Sequence, residues 1–219
     1  MKKNRRIHFF VGGPAFHPTA EQARQIAQWL GPEYTCEIGD GLPAFEALDR
    51  CDLFVVMGLH WTGSHGTEWG DYHPLTERHK KAFEEYAASG RPILAHHGGI
   101  ASYDDWPRFG ELVGVTWVWK HSSHSPYAQH TVRVLPTGHP VVEGVRDFTL
   151  QDELYYNLAI TKGLEATVHA EAEFDGRRLP MIVTAPRRVY LANGHDMAAF
   201  QCPAMKQLWI NSVRWLLDS

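Results

Sequence analysis

Cysteine is scarce in this 219-residue chain: there are three, Cys36, Cys51 and Cys202. They are odd in number, far apart and in no Cys-x-x-Cys pair, which argues against a disulfide framework. Each reads as a small buried hydrophobe. Positive charge is also in short supply. Lys and Arg total 21 against 25 Asp and Glu, a formal net charge of -4, so no basic field points to nucleic acid or an anionic membrane as partner. No apolar run approaches the length that spans a bilayer. The basic start Met1-Lys2-Lys3-Asn4-Arg5-Arg6 imitates the head of a secretion signal, but Gly12-Gly13-Pro14 cuts the following apolar run short. Residues 7–11 are therefore expected to form a first buried strand of a cytoplasmic protein. Linkers, internal repeats and low-complexity stretches are missing as well. A chain of this length suits one core, and residues 1–219 are read as one domain.

What is present is an alternation of strand and helix patterns. The apolar run 7–11 ends in Gly-Gly-Pro, as a central parallel strand does before its loop. Thr19 stands where a helix N-cap is expected, with Gln22 completing a capping box. The helix over 20–30 carries Ala23, Ile26, Ala27 and Leu30 on one face and stops at Gly31-Pro32. Strands are expected at 34–38, 53–57 and 93–95, a helical turn at 44–48, and helices over 75–89 and 103–112. Beyond these the pattern turns extended, at 115–119, 131–135, 148–150, 167–173, 181–184 and Arg188–Leu191, with Asp175-Gly176 as a hairpin turn. A helix over 203–217 closes the chain. Strands separated by helices in the first half imply a parallel, doubly wound α/β sheet, whose ligands lie beyond the carboxyl ends of its strands. Three loops leave those ends, at 12–18, 58–74 and 96–101, and Gly, His and Trp concentrate in them.

Histidine is the outlier: there are 14, nine of them between His60 and His130. In Ile93-Leu94-Ala95-His96-His97-Gly98-Gly99 a buried strand runs into a polar residue and a glycine turn, the layout of a nucleophile elbow. Neither Ser nor Cys fills the nucleophile place, so covalent acyl chemistry is not expected and the imidazole is left to act as acid, base or metal ligand. The sequence leaves open whether His96 or His97 faces the site. His60 follows the strand 53–57 at a neighbouring strand end, while His65 and His73 read as solvated loop residues and His79, in Glu77-Arg78-His79-Lys80-Lys81, as a surface one. His121-Ser122-Ser123-His124 has His-x-x-His spacing but not the helix or the Glu of a zinc protease, a weak metal signal. Asp152-Glu153 would orient an imidazole or ligate a metal if buried near histidines. Gly194-His195-Asp196 adds another strand-end histidine with a carboxylate beside it.

Several of these pieces, in their order, resemble the trehalose-utilisation (ThuA-like) family of the class I glutamine amidotransferase-like superfamily. They are the elbow at Ile93-Leu94-Ala95-His96, the stretch Gly138-His139-Pro140-Val141-Val142-Glu143-Gly144, the tetrad Asp152-Glu153-Leu154-Tyr155, and Arg188-Val189-Tyr190 followed by Gly194-His195-Asp196. Trp215 fits the family's closing helix. The resemblance implies a flavodoxin-like three-layer sandwich, with a mostly parallel sheet and additional β-strands in the second half, and an amidotransferase cysteine elbow rebuilt around histidine. Carried over by position, it implies His96, Glu153, Tyr155 and His195 as catalytic candidates. His139 is expected to order a turn. Arg91-Pro92 and the second histidine, His97, depart from the glycine-rich family pattern at the elbow.

Two functional readings follow. In the first, the protein is a sugar-modifying enzyme of hydrolase or isomerase type, acting on a disaccharide, glycoside or keto-sugar. His96, His195 and Glu153 would hold a divalent metal, zinc foremost, and His60, Trp61, Trp69 and His97 would contact the sugar. In the second, it is a non-catalytic ligand-binding or assembly protein on a degenerate amidotransferase-like scaffold. A Cys-dependent amidotransferase is not expected, nor is a nucleotide cofactor, and a homo-oligomer is left open.

Overall fold

The computed structural model describes residues 5–218; the basic start at 1–4 and Ser219 lie outside the described residues. Nine strands form one sheet: β1 (Arg5–Val11), β2 (Tyr34–Asp40), β3 (Leu53–Val56), β4 (Ile93–His96), β5 (Ala128–Val134), β6 (Phe148–Asp152), β7 (Thr167–Phe174), β8 (Arg177–Ala185) and β9 (Arg188–Leu191). Their order across the sheet is β2-β1-β3-β4-β9-β8-β7-β5-β6. The first five run parallel, and every pairing from β9 to β6 is antiparallel. The chain therefore lays down four parallel strands first, adds an antiparallel extension at the side, and returns with β9 to join the two parts. Asp175 (φ 51°) and Gly176 (φ 67°) form the tight turn between β7 and β8, both in the left-handed region that such a hairpin demands.

Four helices, α1 (Thr19–Leu30), α2 (Glu77–Ala88), α3 (Arg108–Val113) and α4 (Pro203–Asp218), cover the parallel half. Strand alternation decides which side each takes. Phe54 of β3 packs on Phe83 and Tyr86 of α2, and Phe83 meets Phe109 of α3. On the opposite face Trp209 of α4 lies against His96, and Trp29 of α1 stacks on Phe200 just before α4. The result is a three-layer α/β sandwich. Ile7, Phe9, Phe10 and the whole of β3 are buried, which explains why these strands read as continuous apolar runs rather than alternating ones. Each such side chain contributes about 1.5–3 kcal/mol by leaving water.

Several expectations change in three dimensions. Thr19 does not cap α1. Its hydroxyl accepts the Gly12 N–H at 2.8 Å, Pro18 stands at the cap position without a side-chain bond, and Gln22 reaches across to donate to the Gly194 carbonyl at 2.8 Å. The helix expected at 103–112 begins only at Arg108, because Pro107 disfavours helical backbone in the residue before it. The extended stretch at 115–119 shrinks to Val115–Thr116, paired with Ala159–Ile160. His79 is buried rather than superficial: its ring lies against Phe45 with Glu46 at 3.8 Å. Of the free cysteines only Cys51 is fully buried, with Cys36 and Cys202 half-buried. Among the described residues no helix is long and apolar enough to cross a membrane.

Candidate functional site

Four segments converge beyond the strand ends. They are the loop after β1, the turn after β4, the residue that follows β6, and the loop after β9. Each delivers one side chain: His17, His97, Glu153 and His195. One ligand-capable atom from each lies within 4.8 Å of the other three. The contacts are close: His17 Nε2 is 3.1 Å from His195 Nδ1, which is itself 3.2 Å from Glu153 Oε2.

The local backbone explains why the rings meet. His97 sits at φ 40°, a conformation that a side-chain-bearing residue rarely adopts and that marks a constrained site. The two consecutive rings meet different neighbours: His96 packs on Phe200 and Trp209, His97 on His17, Tyr155 and His195. His97 Nδ1 is 2.7 Å from the Ala192 carbonyl. A carbonyl only accepts, so Nδ1 carries the proton, and Nε2 is left as a lone pair, buried and without a partner. Gly98 is needed beside it: a Cβ there would stand 2.8 Å from His17 Cε1. Asp152, the last residue of β6, is fully buried and accepts the backbone N–H groups of Gly194 (2.7 Å), His195 (3.1 Å) and Glu153 (2.8 Å). It ties the end of β6 to the loop that carries His195.

The electrostatics follow from burial and from this crowding. Burial first, then the neighbouring imidazoles, hold His17 well below the ordinary histidine range, and burial pushes His97 down to about 3. For His195 burial also acts downward, but the hydrogen bond to Glu153 and its charge outweigh it and raise the pKa. Reciprocally, burial acts upward on Glu153, while the His195 bond and charge prevail and lower it. Burial lifts Asp152 to about 6 against the pull of its backbone donors. The cluster thus holds two neutral imidazoles, one imidazole pulled toward its charged form, and one carboxylate.

The positions singled out in sequence divide. Glu153 and His195 are in the cluster. Tyr155 lies over it, its ring centroid 4.2 Å from that of His97. Trp61 and Trp69 line the cavity of about 430 Å³ above it. His97, expected to contact sugar, is instead among the four convergent groups. His96, expected as catalytic residue and metal ligand, is not: strand alternation points its ring to the α4 face, against Phe200 and Trp209. There its Nε2 is so close beneath Gly194 that a Cβ at that glycine would lie 2.1 Å away. His60, expected to contact substrate, does not line that cavity. Its backbone is bonded to Ser102 and Tyr103, and its ring is packed on Phe10 with Nε2 3.4 Å from the Val11 carbonyl. Asp196, the carboxylate next to His195, turns outward to accept from Tyr127 at 2.5 Å. His139 orders its turn as expected, accepting the Val141 N–H at 3.2 Å.

Three groups near the cluster stand outside the catalytic, substrate-binding and metal-ligating residues expected from the sequence. His17 carried no signal beyond its place in a strand-end loop. Asp152 was visible only as the neighbour of Glu153. His124 belonged to the His-x-x-His stretch, and pairing of Ser123–His124 with Tyr155–Tyr156 brings it 3.3 Å from Glu153 Oε1, on the cavity wall. Among the described residues no serine or cysteine stands at the elbow; His97 does.

In sequence, the family model ThuA, described as trehalose utilisation, matches residues 17–216. No curated protein matches the chain. In structure the chain is similar to a ThuA-like protein from Bacteroides uniformis ATCC 8492, with TM-score 0.77 and 18% identity over 99% of this chain and 93% of that one. A ThuA-like protein from Parabacteroides merdae ATCC 43184 gives TM-score 0.75 and 17% identity over 98% and 90%. A glutamine amidotransferase from Thermotoga maritima gives TM-score 0.56 and 10% identity over 99% and 100%, a likeness of fold alone. With the family model covering nearly its whole length on a glutamine amidotransferase-like fold, the chain belongs to the ThuA, or trehalose-utilisation, family.

Proposed function

We propose that the protein is a metal-dependent enzyme acting on a carbohydrate-derived small molecule, with His17, His97, Glu153 and His195 holding one divalent cation, zinc foremost. The observation that carries this reading is a deficit of protons. His17 Nε2, His195 Nδ1 and Glu153 Oε2 crowd together at 3.1 and 3.2 Å, so the carboxylate and one imidazole compete for whatever proton the other imidazole donates. The buried lone pair of His97 Nε2 has no partner at all. Leaving such groups unpaired costs stability, and a cation satisfies all four. Three imidazoles and a carboxylate suit zinc. The Ala192 carbonyl acts as the outer-shell acceptor that fixes the tautomer of a ligating histidine.

A divalent cation in this position supplies Lewis acidity to a substrate oxygen or to water. The surrounding residues do the rest. Tyr155 covers the His97 ring, His124 reaches Glu153 from the cavity side, and Trp61 and Trp69 wall the space where a substrate ring lies flat. The association with trehalose utilisation supports a sugar as the substrate class. We expect the site to lie in a cytoplasmic protein of carbohydrate metabolism.

Elemental analysis of the purified protein, paired with thermal melts with and without chelator, tests the reading. About one zinc per chain and a melting temperature lowered by chelator are expected. Metal-free protein with the same melting temperature in chelator refutes it. Conversion of a sugar by the parent protein, lost in Glu153→Gln, separates the enzyme from a ligand-binding protein on the same scaffold.

A further inference from the structure

His124 stands outside the four convergent groups but is tied to them. Its Nδ1 lies 3.3 Å from Glu153 Oε1, while Oε2 of the same carboxylate is 3.2 Å from His195 Nδ1. Two neighbours fix the ring. Antiparallel pairing sets His124 directly opposite Tyr155, so the two side chains share a face, the one on which Tyr155 lies over His97. Ser125, next in the chain, is fully buried and locked to Leu154: its N–H donates to the Leu154 carbonyl and its hydroxyl accepts the Leu154 N–H, both at 2.9 Å. The carbonyl of that fixed Ser125 is 2.9 Å from His124 Nδ1.

Both groups facing Nδ1, a carbonyl and a carboxylate, can only accept. Of the two neutral tautomers, only the one with its proton on Nδ1 satisfies them, which leaves Nε2 as a lone pair. No described residue donates to that lone pair. The ring lines the cavity of about 430 Å³ and the side chain is 47% exposed, so Nε2 is open to whatever the cavity holds. Apart from the cluster and His124, the lining is aromatic or aliphatic.

An unmatched acceptor is satisfied by a ligand hydroxyl, and the shared carboxylate decides which one. Glu153 meets the cluster with one oxygen and His124 with the other. The two recognition points are therefore held one carboxylate apart. Oxygens on adjacent carbons of a single sugar ring bridge such a gap when one faces the cluster and the other donates to Nε2.

We propose that His124 is a specificity-determining residue: it accepts a hydrogen bond from the ligand hydroxyl on the carbon next to the one whose oxygen meets the cluster. This rests on the reading of the cluster as a metal-assisted sugar site and adds the unit of the sugar that the site reads, an oxygen with a hydroxyl beside it.

Two measurements test it. Long-range proton–nitrogen NMR correlations on protein labelled with [15N]histidine, with the His124 signals identified by their loss in His124→Phe, should show the proton on Nδ1 and a bare Nε2. Calorimetric titration of the zinc-loaded protein with methyl D-glucosides and their monodeoxyfluoro analogues reads the hydroxyls, because fluorine does not donate. Fluorine at either of two adjacent positions is expected to weaken binding at least tenfold in the parent, since a site built for a hydroxyl rejects its analogue. In His124→Phe the penalty at one of the two positions should fall to threefold or less while the other persists. His124→Gln, whose amide oxygen reaches toward the place of Nε2, should restore part of the lost penalty. A proton found on Nε2, penalties at positions that are not adjacent, or the same penalties in His124→Phe as in the parent would overturn the proposal. Failure to take up zinc, or to bind any glucoside, counts against the site reading beneath it, while the tautomer still decides the role of His124.

Discussion

Replacing Asp152 by Ala tests how the site is held together. The carboxylate is fully buried and accepts three backbone N–H groups, from Gly194, His195 and Glu153. Removing it orphans all three. Gly194 is buried, and its stranded donor costs about 1–3 kcal/mol. The other two are half-buried and recover part of their loss from water, and the truncated side chain adds a small cavity. The sum is about 3–5 kcal/mol, a large share of the roughly 5–15 kcal/mol by which a folded domain is stable, and corresponds to a drop of about 10 °C in melting temperature for a chain of this size. Asp152→Asn keeps one acceptor oxygen but turns an amide N–H₂ toward the donors, so about half that loss is expected. Urea denaturation read by tryptophan fluorescence, with equal slopes for all variants, measures both. The loop bearing His195 should loosen at the same time and weaken zinc affinity by about 10–100-fold. Glu153→Gln is the control: it should lose the metal with a stability change under about 1 kcal/mol in metal-free protein. If Asp152→Ala denatures within about 0.5 kcal/mol of the parent and binds zinc as tightly, Asp152 is not the tie described here.

Other consequences can be checked directly. His97→Ala should abolish zinc binding, whereas His96→Leu, packed against Phe200 and Trp209, should retain it at lowered stability; equal losses in the two variants would contradict the division of the pair. Gly99→Ala should destabilise the protein by more than about 2 kcal/mol or prevent folding, because its Cβ would stand 2.4 Å from the Val56 carbonyl oxygen, an overlap that only backbone movement relieves; an unchanged melting temperature would refute that. His169 is buried between the hydroxyls of Thr137 and Thr184, 2.7 Å from each. Burial, with stacked His139 adding to it, holds its pKa down at about 4 from an ordinary 6.5. The folded state thus favours the neutral ring. Its contribution is complete above pH 6.5 and is lost as pH falls toward 4, where the unfolded chain already binds the proton. Stability measured across that window should fall less steeply in His169→Gln than in the parent, and identical slopes would exclude His169 as a source.

How much of this was legible in the chain follows from the range over which each signal acts. Hydrophobic period and punctuation act locally, so the sequence by itself determined the α/β class, the order of strands and helices, the hairpin at Asp175-Gly176 and the strand-end loops where chemistry would gather. It also determined that the elbow carries histidine in place of a nucleophile, since that needs only a buried strand followed by His-His-Gly-Gly. Glu153, Tyr155 and His195 were legible because short local patterns surround them. Three things were left to the tertiary structure. The choice between His96 and His97 turns on which neighbours each ring meets, and for His97 that depends on its left-handed backbone and on the Ala192 carbonyl, 95 residues away in sequence. His17 joined the cluster because the loop after β1 folds over Gly98. His60, equally well placed at a strand end, was drawn aside by bonds to Ser102 and Tyr103. Strand ends can be read along the chain; which way a side chain points beyond them is decided by contacts between residues far apart in it.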